Sequence, residues 1–283
     1  MKRTILLIIL IFPMISYGAF EGFNIDIICD GRANVQAALY GDMTSSFINP
    51  ASFTNIDKYS ISIGYSKLFM MYNHFYASYG AKTSVGNIGL SYIERDITGD
   101  YTDSLNNIIS NGVLESEKGI FFTHNFNIAE HIYAGYNLKL YNISMKRFGS
   151  ANAISLDFGF LGNLFSTFTI GAAVHNINRP IFGKVIAYHI PANLILGLSY
   201  EPYNGLLTSL QFEKEEGYDT RLAAAIDYEV LSPYLTIRTG ISTNPMLYSA
   251  GFSLKYGKFA LNYAYKSQRE ISDSHEVGIS INF

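Results

Sequence analysis

The chain has 283 residues, with 20 Lys+Arg against 23 Asp+Glu, a formal net charge of −3 and one cysteine. That balance gives no reason to expect a nucleic-acid partner, which demands a basic face, and a lone cysteine excludes an intrachain disulfide. Charged residues make up 15% of the chain, below the ~25% usual in soluble domains. Tyr (22) and Phe (20) are abundant and Trp is absent, a composition suited to a lipid-facing belt with aromatic rings at both interfaces.

Residues 1–18 read as a signal peptide: Lys2 and Arg3 supply positive charge, Ile5 to Phe12 form a short apolar core, and Ser16-Tyr17-Gly18 offers small residues at −3 and −1. The apolar run falls short of the ~20 residues a spanning helix needs. Cys29 follows Asp26-Ile27-Ile28 rather than small residues, so the mature chain is expected to be unlipidated. Nothing after the signal resembles a linker, and one β domain is expected.

Residues 19–57 precede the first strand and lack a period-two pattern. Within them Asp30 to Tyr40 is expected to form a short helix, followed by the run Asp42 to Phe53. From residue 58 the chain breaks into segments of roughly ten residues with alternating polarity. Strands are expected at 58–68, 71–82, 86–97, 117–128, 131–144, 152–162, 165–176, 191–202, 205–216, 219–230, 234–242, 247–257, 258–267 and 274–283. Leu194, Leu196, Leu198 and Tyr200 share one face, as do Phe259, Leu261, Tyr263 and Tyr265, with Asn193, Gly197, Ser199, Asn262 and Lys266 opposite. In lipid every backbone N–H and C=O must be paired, so such a series is viable only as a closed barrel. Fourteen strands bring both termini to one side, the periplasmic one. Tight links are expected near Ser84-Val85-Gly86-Asn87, Ala129-Glu130, Gly162-Asn163, Tyr203-Asn204-Gly205 and Tyr256-Gly257-Lys258, following even-numbered strands only irregularly; the one between strands six and seven is periplasmic, and the long connections 98–116 and 177–190 fall outside the cell. The last strand puts Val277, Ile279, Ile281 and Phe283 towards lipid and Glu276, Gly278, Ser280 and Asn282 towards the lumen.

Lys139, Asp157, Glu213, Asp227, Arg238, Lys255, Lys266 and Glu276 all take the lumen parity. Their mixed signs favour pairing across the interior, because unpaired burial is costly; a plugged, salt-bridged core is expected over an open conduit. No nucleophile elbow, phosphate-binding loop or paired-cysteine motif occurs, and the six histidines never take metal-ligand spacing. Neither enzymatic activity nor a cofactor or metal is expected, and a structural or merely solvated role is expected for His175.

The segment ending Phe47-Ile48-Asn49-Pro50-Ala51-Ser52-Phe53, and Gly171 to Asn178 with the return at His189-Ile190-Pro191, resemble the FadL-like outer-membrane proteins and their PorV/PorQ-type relatives. Those chains commonly carry Asn-Pro-Ala-Gly before strand one, and Ser52 replaces the glycine here. The resemblance implies an all-β fold, a transmembrane antiparallel up-and-down β-barrel of about 14 strands, with the short helical N-terminal segment held inside as a hatch. It also implies recognition of the terminal Phe283 by the barrel-assembly machinery and a location in the outer membrane. Transport of a small hydrophobic molecule is expected, with Asn49, Pro50 and Ala51 as gating residues and Phe47, Ile48 and Phe53 lining the ligand site. The alternative is a scaffold for secreted or surface proteins, as in type IX secretion, with Asp100 to Asp103 and Ile181-Phe182 as contact residues.

Overall fold

The computed structural model describes residues 20, 22–23, 26–54, 56–69, 71–102, 108–146, 149–165, 167–183, 188–268 and 271–283. The expected signal peptide lies outside them. Strands β1 (Tyr59–Leu68), β2 (Tyr72–Thr83), β3 (Gly86–Thr102), β4 (Ile108–Ala129), β5 (Ile132–Met145), β6 (Gly149–Leu164) and β7 (Phe168–His175) pair in sequence. A two-stranded hairpin, β8 (Ile181–Phe182) and β9 (Tyr188–His189), follows. Then come β10 (Asn193–Tyr203), β11 (Leu206–Glu215), β12 (Arg221–Leu231), β13 (Leu235–Ser242), β14 (Leu247–Tyr256), β15 (Phe259–Gln268) and β16 (Ile271–Asn282). β7 pairs with β10, and β16 closes on β1 with Ile63 opposite Ile279, giving a closed antiparallel barrel of fourteen strands.

Side-chain parity turns this barrel inside out relative to a soluble protein. Ile63, Leu196, Leu210, Leu222, Val277 and Ile279 point outward and are exposed, whereas Ser60, Ser62, Asn137, Ser155, Asp227 and Glu276 point inward and are buried. An apolar exterior around a polar interior is stable only in lipid. Among the described residues no helix is long and apolar enough to cross a membrane; the strands do the crossing. Links of two or three residues (84–85, 130–131, 165–167, 204–205, 232–234 and 257–258) join the strands at the end that carries Phe283. The opposite end carries connections of more varied length, of which 176–192 is the longest.

Several details differ from expectation. Residues 98–102 and 108–116 are strand rather than loop, because β3 and β4 stay paired as far as Thr102 opposite Ile108. Ile97, Thr98, Tyr101, Ile108, Ile109 and Val113 give this stretch the β-branched and aromatic content that favours pairing over coil. Gly162-Asn163 lies within β6, and the turn falls at 165–167. The expected helix over 30–40 is instead one turn, α1 (Ile27–Asp30). It stops because Ala33 and Asn34 both take the left-handed region, at φ 52° and 63°, which cannot continue a right-handed helix.

The N-terminal segment passes through the lumen as three short helical turns, each opened by an Asp or Asn cap. Asp26 accepts from Ile28 N at 3.2 Å before α1, Asp42 from Thr44 N at 3.0 Å before the 3₁₀ turn Met43–Phe47, and Asn49 from Ala51 N at 3.0 Å before the 3₁₀ turn Pro50–Ser52. Pro50 suits the first position of its turn, where its missing N–H has no partner to lose. Room for this segment comes from inward-facing glycines that sit opposite each other on adjacent strands: Gly64 with Gly278, Gly80 with Gly89, Gly135 with Gly159, and Gly171 with Gly197. A Cβ at Gly171 would overlap the Ala37 carbonyl, one at Gly159 the Asn49 side chain, and one at Gly80 the Phe53 ring. Replacing Gly171 by Val is therefore expected to leave a heat-modifiable barrel but unseat the segment, at a cost of about 1–3 kcal/mol for overpacking. Trypsin cleavage after Arg32 reports the release, and Gly112→Val, where the added group meets nothing within 4 Å, is the control.

Candidate functional site: a hatch beneath a cavity

The irregular backbone inside the lumen needs partners that its own short turns do not supply. Wall side chains provide them from strand to strand. Asn87 Nδ2 donates to Phe53 O at 2.8 Å, Asn125 Nδ2 to Ala51 O at 2.7 Å, and Asn137 Nδ2 to Ser46 O at 2.9 Å. His175 Nε2 donates to Ile48 O at 2.7 Å, and Ser199 Oγ to Ala38 O at 2.9 Å. Gln211 works in both directions, its Oε1 accepting from Gln36 N and Ala37 N at 2.9 and 3.0 Å while its Nε2 donates to Asn34 O at 2.8 Å. Asn49 binds the segment to itself and to the wall, donating to Ala37 O at 2.6 Å and Phe160 O at 3.0 Å.

Charged clusters fix the first part of the segment. Arg32 forms a forked pair with Asp227 of β12, with Nε to Oδ1 at 2.8 Å, and Asp227 is shared with Arg238 of β13 at 3.3 Å. Lys266 of β15 sits between Asp30 of α1 at 2.8 Å and Glu276 of β16 at 3.0 Å. Glu117 of β4 accepts from Phe20 N at 2.7 Å and pairs with Arg95 of β3. A fourth pair, Lys139 with Asp157, lies wholly within the wall and is fully buried. Of the lumen-parity charges expected from sequence, Lys139, Asp157, Glu213, Asp227, Arg238, Lys266 and Glu276 enter ion pairs, and Lys255 is exposed. Asp30, Arg32, Arg95, Glu117 and Arg221 complete these clusters and were not anticipated; the first two sit in a segment without strand parity.

Above the segment, at the end opposite Phe283, opens a cavity of about 770 Å³. Phe20, Phe23 and Ile48 form part of its lining, with Tyr72, Tyr188, Ile190 and Ile195 contributed by the wall and the 176–192 connection. Phe20 stacks on Phe182 of β8 at 5.1 Å between ring centroids, and Phe23 meets Tyr141 edge to face at 5.9 Å. Phe182 is therefore buried in the mouth of the barrel, while Ile181 remains exposed. The six residues singled out from sequence separate clearly. Ile48 reaches the cavity. Phe47 is buried among Tyr76 and Phe121, and Phe53 packs with Met43 and Ile56 below; neither lines the cavity. Asn49, Pro50 and Ala51 are fully enclosed against Gly135 and Gly159.

Burial and the neighbouring Asp42 carboxylate push Asp26 up to about 7, against hydrogen bonds from Thr44 and Ile28 N that favour the charged form. Between about pH 4 and pH 7 a carboxyl with this folded pKa keeps its proton while the hatch is seated and loses it on release. Its contribution to seating is complete below about pH 4 and declines as pH rises towards 7, by roughly 4 kcal/mol in all. Hydrogen-exchange protection of hatch amides, corrected for the intrinsic rate, should fall between pH 5 and pH 8. In Asp26→Asn that dependence should flatten.

No protein-family model matches the sequence, and no curated protein matches it either. Solved structures do. The CymD monoaromatic hydrocarbon channel superposes with a TM-score of 0.68 at 11% identity, over 90% of this chain and 97% of that one. A Pseudomonas aeruginosa FadL homologue gives 0.66 at 11% identity, over 91% and 98%. The P. putida toluene transporter TodX gives 0.66 at 12% identity, over 90% and 97%. At such identities the likeness is one of fold, and it spans nearly the full length of both chains. The chain is thus a transmembrane barrel with the FadL-like fold, fourteen strands around an N-terminal plug.

Proposed function

We propose that the protein is an outer-membrane channel that admits a small, largely hydrophobic molecule into the cavity at the loop end and passes it inward when the hatch shifts. The observation that carries this reading is the stacking of a cavity of about 770 Å³ directly on a plug whose own Phe20, Phe23 and Ile48 form part of its lining. That volume lies within the range of small-molecule sites, and an apolar lining with a few placed polar groups is their usual character. The structurally similar CymD and TodX are described as a hydrocarbon channel and a toluene transporter, not as enzymes. The scaffold alternative is not favoured, since Phe182, one of its expected contact residues, is spent on packing against Phe20.

In this reading the loop end faces outward, the end with Phe283 faces the periplasm, and the apolar belt contacts membrane lipid. The signal peptide over residues 1–18 and insertion through the Phe283 strand belong to the same proposal. Of the six residues expected from sequence, Ile48 lines the cavity, and Asn49, Pro50 and Ala51 are the gate, because Asn49 ties its turn both to Ala37 within the hatch and to Phe160 of β6. Phe47 and Phe53 serve by holding the plug in place.

Uptake of labelled toluene by a Gram-negative host expressing the chain, against the same host without it, tests the reading. The intact protein should raise the uptake rate, and replacing Asn49, Pro50 and Ala51 together by glycine should change it several-fold while the barrel stays heat-modifiable. Unchanged uptake in a normally assembled variant would contradict gating by these residues, and no gain from the intact chain would contradict transport.

A further inference from the structure

The cavity contains charge, and its balance is uneven. Its three basic side chains are each engaged by a carboxylate of the same protein: Arg95 by Glu117, Arg221 by Glu213 at 2.9 Å, and Lys266 by Asp30 and Glu276 at 2.8 and 3.0 Å. Arg221 also donates to Ala33 O at 2.6 Å, so its guanidinium is committed to the hatch as well as to the wall. Glu115, Glu215 and Asp219 line the same space as further negative charges, the first two half-buried and the third exposed. Among the described lining residues there is no Lys or Arg beyond these three.

The cavity wall already holds a cation against aromatic rings. The Arg95 guanidinium lies over Phe23 at 5.6 Å and over Tyr72 at 5.5 Å, between a hatch ring and a wall ring, with Glu117 as its counter-ion. Carboxylate plus ring faces is the combination that stabilises an organic cation. An incoming carboxylate would find the three basic groups of the described lining already paired and would meet further like charge on both sides of the mouth, from Glu115 on β4 and from Asp219 beside β12.

Resting on the transport reading, we infer that the cavity selects an amphiphile with a hydrophobic body and a cationic amine head and rejects the corresponding carboxylate, with Glu115 and Asp219 as the residues that set the choice. Glu117, which holds Phe20 N as well as Arg95, shares β4 with Glu115 and links that wall to the hatch.

The test is calorimetric binding of three probes with one body, octylamine, octanol and octanoate, to the full-length protein in detergent at pH 7. Octylamine should bind about tenfold or more tightly than octanoate, with octanol between them. In the double variant Glu115→Gln, Asp219→Asn, octanol affinity should hold while the amine-to-carboxylate ratio falls at least about threefold. Both positions lie at the partly exposed rim, and heat-modifiability checks that the variant is folded. Octanoate binding as tightly as octylamine, or a ratio untouched by the double variant, would overturn the inference while leaving transport intact. Failure of all three probes to bind would instead count against the transport reading beneath it.

Discussion

Thirty-odd residues of irregular backbone enclosed in a barrel must find a hydrogen-bond partner for every peptide group that water no longer reaches. Much of the lumen follows from that requirement. Asn87, Asn125, Asn137, His175, Ser199 and Gln211 each meet a hatch backbone group, so that the wall substitutes side-chain amides and hydroxyls for the regular ladder the hatch lacks. Neutral groups predominate over residues 36–53, where the contact is close and glycine pairs bring the two backbones together.

Charge does a different job around residues 20–34. A buried ion pair contributes little net stability once desolvation is counted, yet removing one member costs about 3–5 kcal/mol because the other is left unpaired. Arg32 against Asp227 and Arg238, and Asp30 against Lys266 and Glu276, therefore specify where the first turn sits more than how strongly it binds. Both clusters lie towards β12 to β16, whereas most neutral contacts lie towards β3 to β11. The hatch is held in two ways on two sides of the barrel, and the half with Phe20 and Phe23 borders the cavity.

The barrel was legible in the sequence because period-two alternation survives in nearly every strand and requires no knowledge of partners. Leu194 to Tyr200 and Val277 to Phe283 show on the outside what the pattern implied. The lumen was legible only in part. Inward parity identified Lys139 and Asp157, which pair with each other, and also Asp227 and Lys266, but the partners of the last two, Arg32 and Asp30, come from a segment whose conformation depends on the wall around it. The helix expected over 30–40 failed for the same reason: Arg32, Gln36, Leu39 and three alanines favour helix, but the left-handed turn at Ala33 and Asn34 is imposed where Arg221 donates to Ala33 O and Gln211 to Asn34 O. One signal was present and unread, namely glycine at inward positions in the middle of successive strands, where a side chain would ordinarily fill the lumen. Phe47 and Phe53 were assigned to the ligand site on hydrophobicity alone, which does not distinguish a residue lining a cavity from one filling it.

The central claim is that the N-terminal segment is seated inside a closed lumen, and Cys29 reports on it directly. The only cysteine of the chain lies on α1, is completely buried, and has its thiol pushed up by burial and by the nearby Asp26 and Asp30 carboxylates. The decisive measurement is the rate of Cys29 modification by a membrane-impermeant maleimide in the membrane-embedded protein, compared with the urea-unfolded chain. The account requires a rate lower by orders of magnitude in the folded protein. Labelling of the folded protein at the unfolded rate would mean that the segment is not lodged in the barrel, and the hatch, its ion clusters and the gating built on them would fall together.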